Sequence, residues 1–146
     1  MAQKYDRMGT KGGGWLSRRQ RRPKQEVFAF ESSKGENDKF AKIYASMLQS
    51  PAWKNLTKPQ QILYIYMKLQ FRSETREKVP DKPDICFYFN QTLWKKTYGL
   101  YTNTTSFYKD RNALIQNGFI ELEESGRNTR TRSVYRLSYK WQDIPP

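Results

Sequence analysis

The chain has 146 residues, enough for one domain of ordinary size and a tail. It carries 27 Lys and Arg against 14 Asp and Glu, a net charge of +13, and no histidine. That balance attracts polyanions, either nucleic acid or an acidic membrane surface. The missing histidine excludes His-metal nickases and relaxases, His-containing triads and mixed Cys/His zinc sites.

Hydrophobic content is 36% and mean hydropathy is −0.97, so the core is small. Aromatic residues make up 15% of the chain, and large rings fill a small core efficiently. No apolar run approaches the ~20 residues of a membrane span. The N-terminus has charge but no apolar stretch of the kind a signal peptide needs. A cytoplasmic location without membrane insertion is the expectation. The single cysteine, Cys86, has no internal disulfide partner and reads as a small core hydrophobe.

Residues 1–38 read as a basic, largely disordered arm and linker. Residues 1–25 hold eight Lys or Arg and one Asp, a net of +7, more than half of the total charge. Within this stretch lie Gly12-Gly13-Gly14 and the cluster Arg18, Arg19, Arg21, Arg22 and Lys24. Too little apolar surface is present to offset the entropy of ordering it. Trp15-Leu16 and Val27-Phe28-Ala29-Phe30 interrupt it, and Glu31 to Asp38 reads as a linker.

Residues 39–142 read as the folded domain and 143–146 as a tail. Phe40 to Tyr44 is expected to be extended and to lead into a helical turn through Leu48. Ser50-Pro51 is a helix start, with serine as N-cap and proline at the first helical position. Thr57 to Gln60 has capping-box spacing. The helix beginning there carries Ile62, Leu63, Ile65, Tyr66, Met67, Leu69 and Phe71 around most of its circumference, which predicts a central buried helix. Residues 73–84, with Pro80 and Pro83, read as a loop, and Ile85 to Phe89 as a short strand. Asn90 caps a helix from Gln91 to Tyr98 that stops at Gly99. Asn103 caps the next, Thr104 to Asn117, which stops at Gly118. Phe119 to Glu124 and Ser133 to Trp141 then form a hairpin.

The order predicts an α+β winged helix-turn-helix, with helices, a short strand and a two-stranded wing. In the helix 104–117, Phe107, Leu114 and Ile115 form the core stripe. Arg111 interrupts it: either its stem packs while its head reaches out, or the helix is rotated. The other side carries Asn103, Thr104, Thr105, Tyr108, Lys109 and Asn112. Asn suits the adenine edge, Thr the thymine methyl, and Lys guanine or phosphate. The wing 125–132 carries Arg127, Asn128, Arg130 and Arg132, residue types that bind backbone phosphate or enter a minor groove. Thr92, Lys95 and Lys96 lie on the preceding helix, which in such pairs crosses the backbone. Arg18, Arg19, Arg21, Arg22 and Lys24 of the arm are expected either to follow a minor groove or further phosphates, or to bind non-specifically or to an acidic protein or lipid. Leu93 and Trp94 read as core, Trp53 and Trp141 as core rather than stacking platforms, and Tyr88, Tyr98 and Tyr101 as packing residues rather than base-stacking ones.

Catalysis has no residue set behind it. There is no GxxxxGK[ST] loop, and Gly12-Gly13-Gly14 lacks the strand and helix such a loop needs. Glu121 and Glu123 alternate onto one face of a strand and read as a solvated face rather than a metal site. The reading is non-enzymatic, with no cofactor and no metal.

From Phe40 to Trp141 the chain resembles the winged-helix domain at the front of plasmid replication initiators from low-GC Gram-positive bacteria. Similar domains occur in small DNA-binding proteins of conjugative elements and phages. The residues that carry the resemblance are Phe40, Leu48, Ser50-Pro51-Ala52-Trp53-Lys54-Asn55-Leu56-Thr57, Leu63-Tyr64, Ser106-Phe107-Tyr108-Lys109 and Leu114 to Glu121. It implies binding to double-stranded DNA on a mobile element, in replication, conjugative transfer or transcription. The initiators have a further domain after the wing, so the expected role is an accessory or regulatory one. The competing expectation is a winged-helix interaction module that recruits a replication or conjugation protein. Oligomeric state is open between monomer and dimer.

Overall fold

Local capping chemistry sets the first helices. Ser50 Oγ accepts the Trp53 N–H at 3.2 Å and donates to the Met47 carbonyl at 2.6 Å. One hydroxyl thus joins two short helices, α1 (Ala45–Leu48) and α2 (Pro51–Lys54). At the start of α3 (Lys58–Phe71), the Thr57 N–H donates to Gln60 Oε1 at 2.9 Å and closes a capping box. The computed structural model describes residues 28–35, 38–126 and 131–146.

The chain divides into two units between Asp38 and Lys39. In the first, the described residues form one 3₁₀ turn, Ala29–Glu31, with the Phe28 and Phe30 rings stacked 5.6 Å apart. All other elements belong to the second.

Strand β1 (Cys86–Tyr88) follows the loop after α3. Asn90 Oδ1 then accepts the Leu93 N–H at 3.3 Å. The segment expected as an α-helix from 91 to 98 is helical, but Thr92–Thr97 is wound as a π-helix. The Tyr98 N–H donates to the Leu93 carbonyl, one residue beyond the α-helical partner, at 2.8 Å. Gly99, at φ 62°, supplies the left-handed stop.

Helix α4 (Thr104–Gln116) begins where Asn103 Oδ1 accepts the Ser106 N–H at 2.9 Å. It ends in a Schellman motif: Phe119 N–H donates to the Leu114 carbonyl at 3.0 Å and Gly118 N–H to the Ile115 carbonyl at 3.1 Å. Gly118 has φ 78°, and a Cβ there would lie 2.5 Å from the Trp141 nitrogen. Both conformation and space therefore demand glycine.

Strands β2 (Ile120–Glu124) and β3 (Val134–Leu137) form the hairpin. Together with β1 they make a three-stranded antiparallel sheet in the order β1-β3-β2. Cys86 faces Arg136, and Ile120 faces Leu137, with a bulge between Leu122 and Glu124. The fold is α+β. No helix among the described residues is long and apolar enough to cross a membrane.

The second hairpin strand is shorter than the predicted 133–141. It ends at Leu137, and a 3₁₀ turn, Lys140–Asp143, swings Trp141 back. The Trp141 N–H donates to the Gly118 carbonyl at 3.0 Å, and its ring stacks on Phe119 at 6.0 Å. Burying that large ring outweighs continuing a ladder at the strand end.

The main core unites α2, α3, α4, the π-helix and the sheet through Trp53, Leu63, Tyr64, Phe87, Phe89, Trp94, Phe107, Leu114 and Phe119. Trp94 stacks on Phe107 at 4.9 Å. Tyr98 and Tyr101 pack at its edge, and Cys86 is buried in a second cluster with Val79 and Val134. Helix α3 is not buried all round as expected. It packs along α4 and β1 on one side, leaving Ile62 47% and Ile65 36% exposed.

Gly118→Ala is expected to lower unfolding stability by about 2–4 kcal/mol, through left-handed strain plus the clash with residues 140 and 141. Urea titration would show a reduced midpoint at unchanged m-value.

Candidate nucleic-acid interface

The orientation of α4 is set by a carboxylate that the stripe Phe107, Asp110, Leu114 carries into the core. Asp110 is 8% exposed. Its Oδ1 accepts Gln60 Nε2 at 3.2 Å and its Oδ2 accepts the Tyr101 hydroxyl at 2.6 Å. Gln60 is the residue whose other amide atom closes the α3 cap. One chain of hydrogen bonds therefore runs from the start of α3, through the middle of α4, to the turn before α4. Burial, with the Asp110 bond second, pushes the Tyr101 phenol far above its ordinary value.

With Asp110, Phe107 and Leu114 inward, Asn103, Thr104, Thr105, Lys109 and Asn112 are exposed, and Tyr108 is half-buried against Phe107. Arg111 is accounted for by its neighbours. Its guanidinium lies 4.5 Å above the Tyr108 ring, donates to the Tyr135 hydroxyl at 3.3 Å, and donates to Asn112 Oδ1 at 3.0 Å. The helix does not have to rotate, because the arginine is held between Tyr108 of the helix and Tyr135 of the central strand. Asn112 in turn has its carbonyl oxygen engaged.

The hairpin base is fixed by a close backbone approach. The Gly126 N–H donates to Ser133 Oγ at 3.1 Å. A Cβ on Gly126 would lie 1.8 Å from the Thr131 carbonyl oxygen. This pinch delivers Arg132 to a cleft of about 200 Å³ that it shares with Gln91, Thr104 and Tyr108. Two of the sequence candidates, Thr104 on the helix and Arg132 on the hairpin, thus meet at one cleft. A neighbouring cleft of about 250 Å³ joins Arg132 to Thr92. Lys95 and Lys96 are exposed on the π-helix.

Arg132 has a partner that its own loop does not contain. Its Nη1 and Nη2 reach the two carboxylate oxygens of Glu77 at 2.5 and 2.8 Å. The guanidinium also lies 3.9 Å above the Tyr88 ring. Hydrogen bonding to Arg132 holds the Glu77 carboxyl below its usual range. On β2 and β3, the expected solvated acidic face is an ion-pair ladder. Glu121 accepts Lys140 Nζ at 2.8 Å and Arg136 Nε at 3.0 Å, and Glu123 lies 3.6 Å from Arg136. By contrast, Lys95, Lys96 and Lys109 carry no ion-pair partner among the described residues.

The candidates Arg18, Arg19, Arg21, Arg22 and Lys24 of the arm, and Arg127, Asn128 and Arg130 of the hairpin tip, lie outside the described residues. Sequence reasoning missed Asp110, Glu77 and Tyr88 as parts of this site. The three- and four-residue spacing to Phe107 and Leu114 would have found Asp110. Nothing local marks Glu77, which is 55 residues from its partner.

Asp110→Ala is expected to cost about 2–4 kcal/mol, because two donors lose their acceptor inside the fold. Thermal and urea unfolding check it. Alkali gives a second outcome. Burial pushes Tyr64 up to about 12 and raises Tyr101 further from the ordinary 10.0. The unfolded chain loses these protons first, so their contribution is complete below the ordinary value and fades as pH rises past it. Urea midpoints should fall as pH rises from about 10 toward about 12, and less steeply in Tyr101→Phe. Among known proteins, no family model matches the chain, and no curated protein or solved structure matches it.

Proposed function

We propose that residues 39–142 form a winged helix-turn-helix that binds double-stranded DNA without catalysis, as an accessory or regulatory protein of a mobile element. The observation that carries this reading is the meeting of Thr104 and Arg132 at one cleft, beside a π-helix bearing two exposed lysines. Helix α4 enters the major groove with Thr104, Thr105, Lys109 and Asn112 toward base edges. Its N-terminal N–H groups and Asn103 face the backbone. Thr92, Lys95 and Lys96 lie along a phosphate strand, and the hairpin tip and basic arm extend the backbone contact. Tyr108 and Arg111 support the reading face rather than read bases, since their rings and donors are engaged within the protein.

The distribution of charge also supports the reading. Acids on β2 are consumed by Arg136 and Lys140, while Lys95, Lys96 and Lys109 are exposed. A protein that neutralises ~6–10 phosphates through such groups loses roughly 10³–10⁵-fold in affinity between 50 and 200 mM salt.

Gel shifts with duplexes from the DNA flanking the gene test the proposal. Lys95→Ala with Lys96→Ala should weaken all duplexes uniformly and flatten the salt dependence by roughly two phosphate contacts. Thr105→Ala should instead relax the preference among sequences, at a cost of about 1–3 kcal/mol on the preferred site. Salt-insensitive binding, or binding without any sequence preference, would overturn it.

A further inference from the structure

We propose that Arg132 is a preformed phosphate-binding fork that Glu77 occupies in the free protein, so that a nucleic-acid phosphodiester and the Glu77 carboxylate compete for one site. The inference rests on the DNA-binding reading and deepens it.

The geometry is that of a fork already aimed. Both terminal nitrogens of Arg132 meet both Glu77 oxygens, at 2.5 and 2.8 Å. Two oxygens of a phosphate take the same pair of parallel N–H bonds. A second anchor does not involve the acid: the guanidinium lies 3.9 Å above Tyr88. Tyr88 belongs to β1 and pairs with Val134, two residues beyond Arg132. The sheet therefore holds the arginine in place when the carboxylate leaves. An ion pair this exposed, with 40% of the arginine side chain and 60% of the glutamate side chain accessible, adds little to folding stability. Breaking it is a small cost that a phosphate replaces like for like.

The surroundings fit the incoming group. Arg132 walls the cleft that opens on Thr75, Arg76, Asn90 and Thr92, and also the one that opens on Thr104 at the start of α4. Arg76 Nη1 is shielded from solvent with no hydrogen-bond partner among the described residues. Glu77 is flanked in sequence by Arg76 and Lys78. A polyanion brings further phosphates beside the one in the fork, and their charge adds to the competition with the carboxylate.

The experiment is a double-mutant cycle on the full chain, read by duplex-DNA affinity and by inorganic phosphate titration of the Arg132 Nε–H signal in NMR spectra. Glu77→Gln should raise duplex affinity roughly three- to tenfold. Glu74→Gln, the same charge change in the same loop, should raise it less than about twofold. In an Arg132→Ala background Glu77→Gln should give no more than the Glu74→Gln gain, and Arg132→Ala alone should weaken binding. Phosphate should shift the Arg132 signal at lower concentration in Glu77→Gln than in the wild type. An equal gain from both glutamines, a gain above that of Glu74→Gln that persists without Arg132, or a phosphate response indifferent to Glu77 would overturn the fork. If the wild type binds no duplex, the DNA reading fails, and the phosphate titration still decides whether Glu77 occupies an anion site.

Discussion

The structure turns on one buried carboxylate. Asp110 projects from the middle of α4 into a site where a charge without partners would be strongly unfavourable. Gln60 and Tyr101 supply its donors, and each comes from a separate segment. Successive helix positions differ by about 100°, so turning α4 by one residue would carry Asp110 away from both. The network therefore permits one rotation of α4. That rotation sends Thr104, Thr105, Lys109 and Asn112 outward. The identity of the exposed face follows from a polar contact in the core.

The other end of α4 is fixed by backbone geometry and aromatic packing. The Schellman turn at Gly118 leads directly into β2, and Trp141 returns to donate to the Gly118 carbonyl while stacking on Phe119. The hairpin is thus attached to the helix end with little freedom, and the Gly126 pinch narrows it again further out. With helix rotation and hairpin position both set, Thr104 and Arg132 arrive at a common cleft. The cations then separate into two classes. Arg136 and Lys140 are bound into a ladder with Glu121, and Arg132 is held by Glu77. Lys95, Lys96 and Lys109 have solvent around them. A count of charges treats these groups alike, whereas their partners make them chemically different.

Arg111 shows how a sequence misfit becomes a structural part. On a helical projection it breaks an apolar stripe. In the fold its flat guanidinium lies against Tyr108 and meets the Tyr135 hydroxyl. Arginine suits such a place because a weakly hydrated planar cation stacks on a ring and still donates in its plane. The exposed Ile62 and Ile65 are the reverse case. Apolar residues all round α3 predict burial all round, but a three-stranded sheet and one long neighbouring helix cover one side only.

Features that depend on a few adjacent residues were legible in the sequence. Ser50, Thr57, Asn90 and Asn103 begin helical segments, and Gly99 and Gly118 end them, because caps and left-handed stops are chemistry within one turn. The order of helices and hairpin strands follows from those signals and from the periodicity between them. The choice between α and π winding after Asn90, the early end of β3 and the pairing of Arg132 with Glu77 do not. Each is settled by partners tens of residues away, through ring packing, desolvation and ion pairing that act only once the chain has closed. The sequence by itself determined where the capped helices begin, where Gly99 and Gly118 end them, and how much positive charge the molecule carries. Tertiary structure alone decided which cations already have a partner, because that depends on distances that no local pattern encodes.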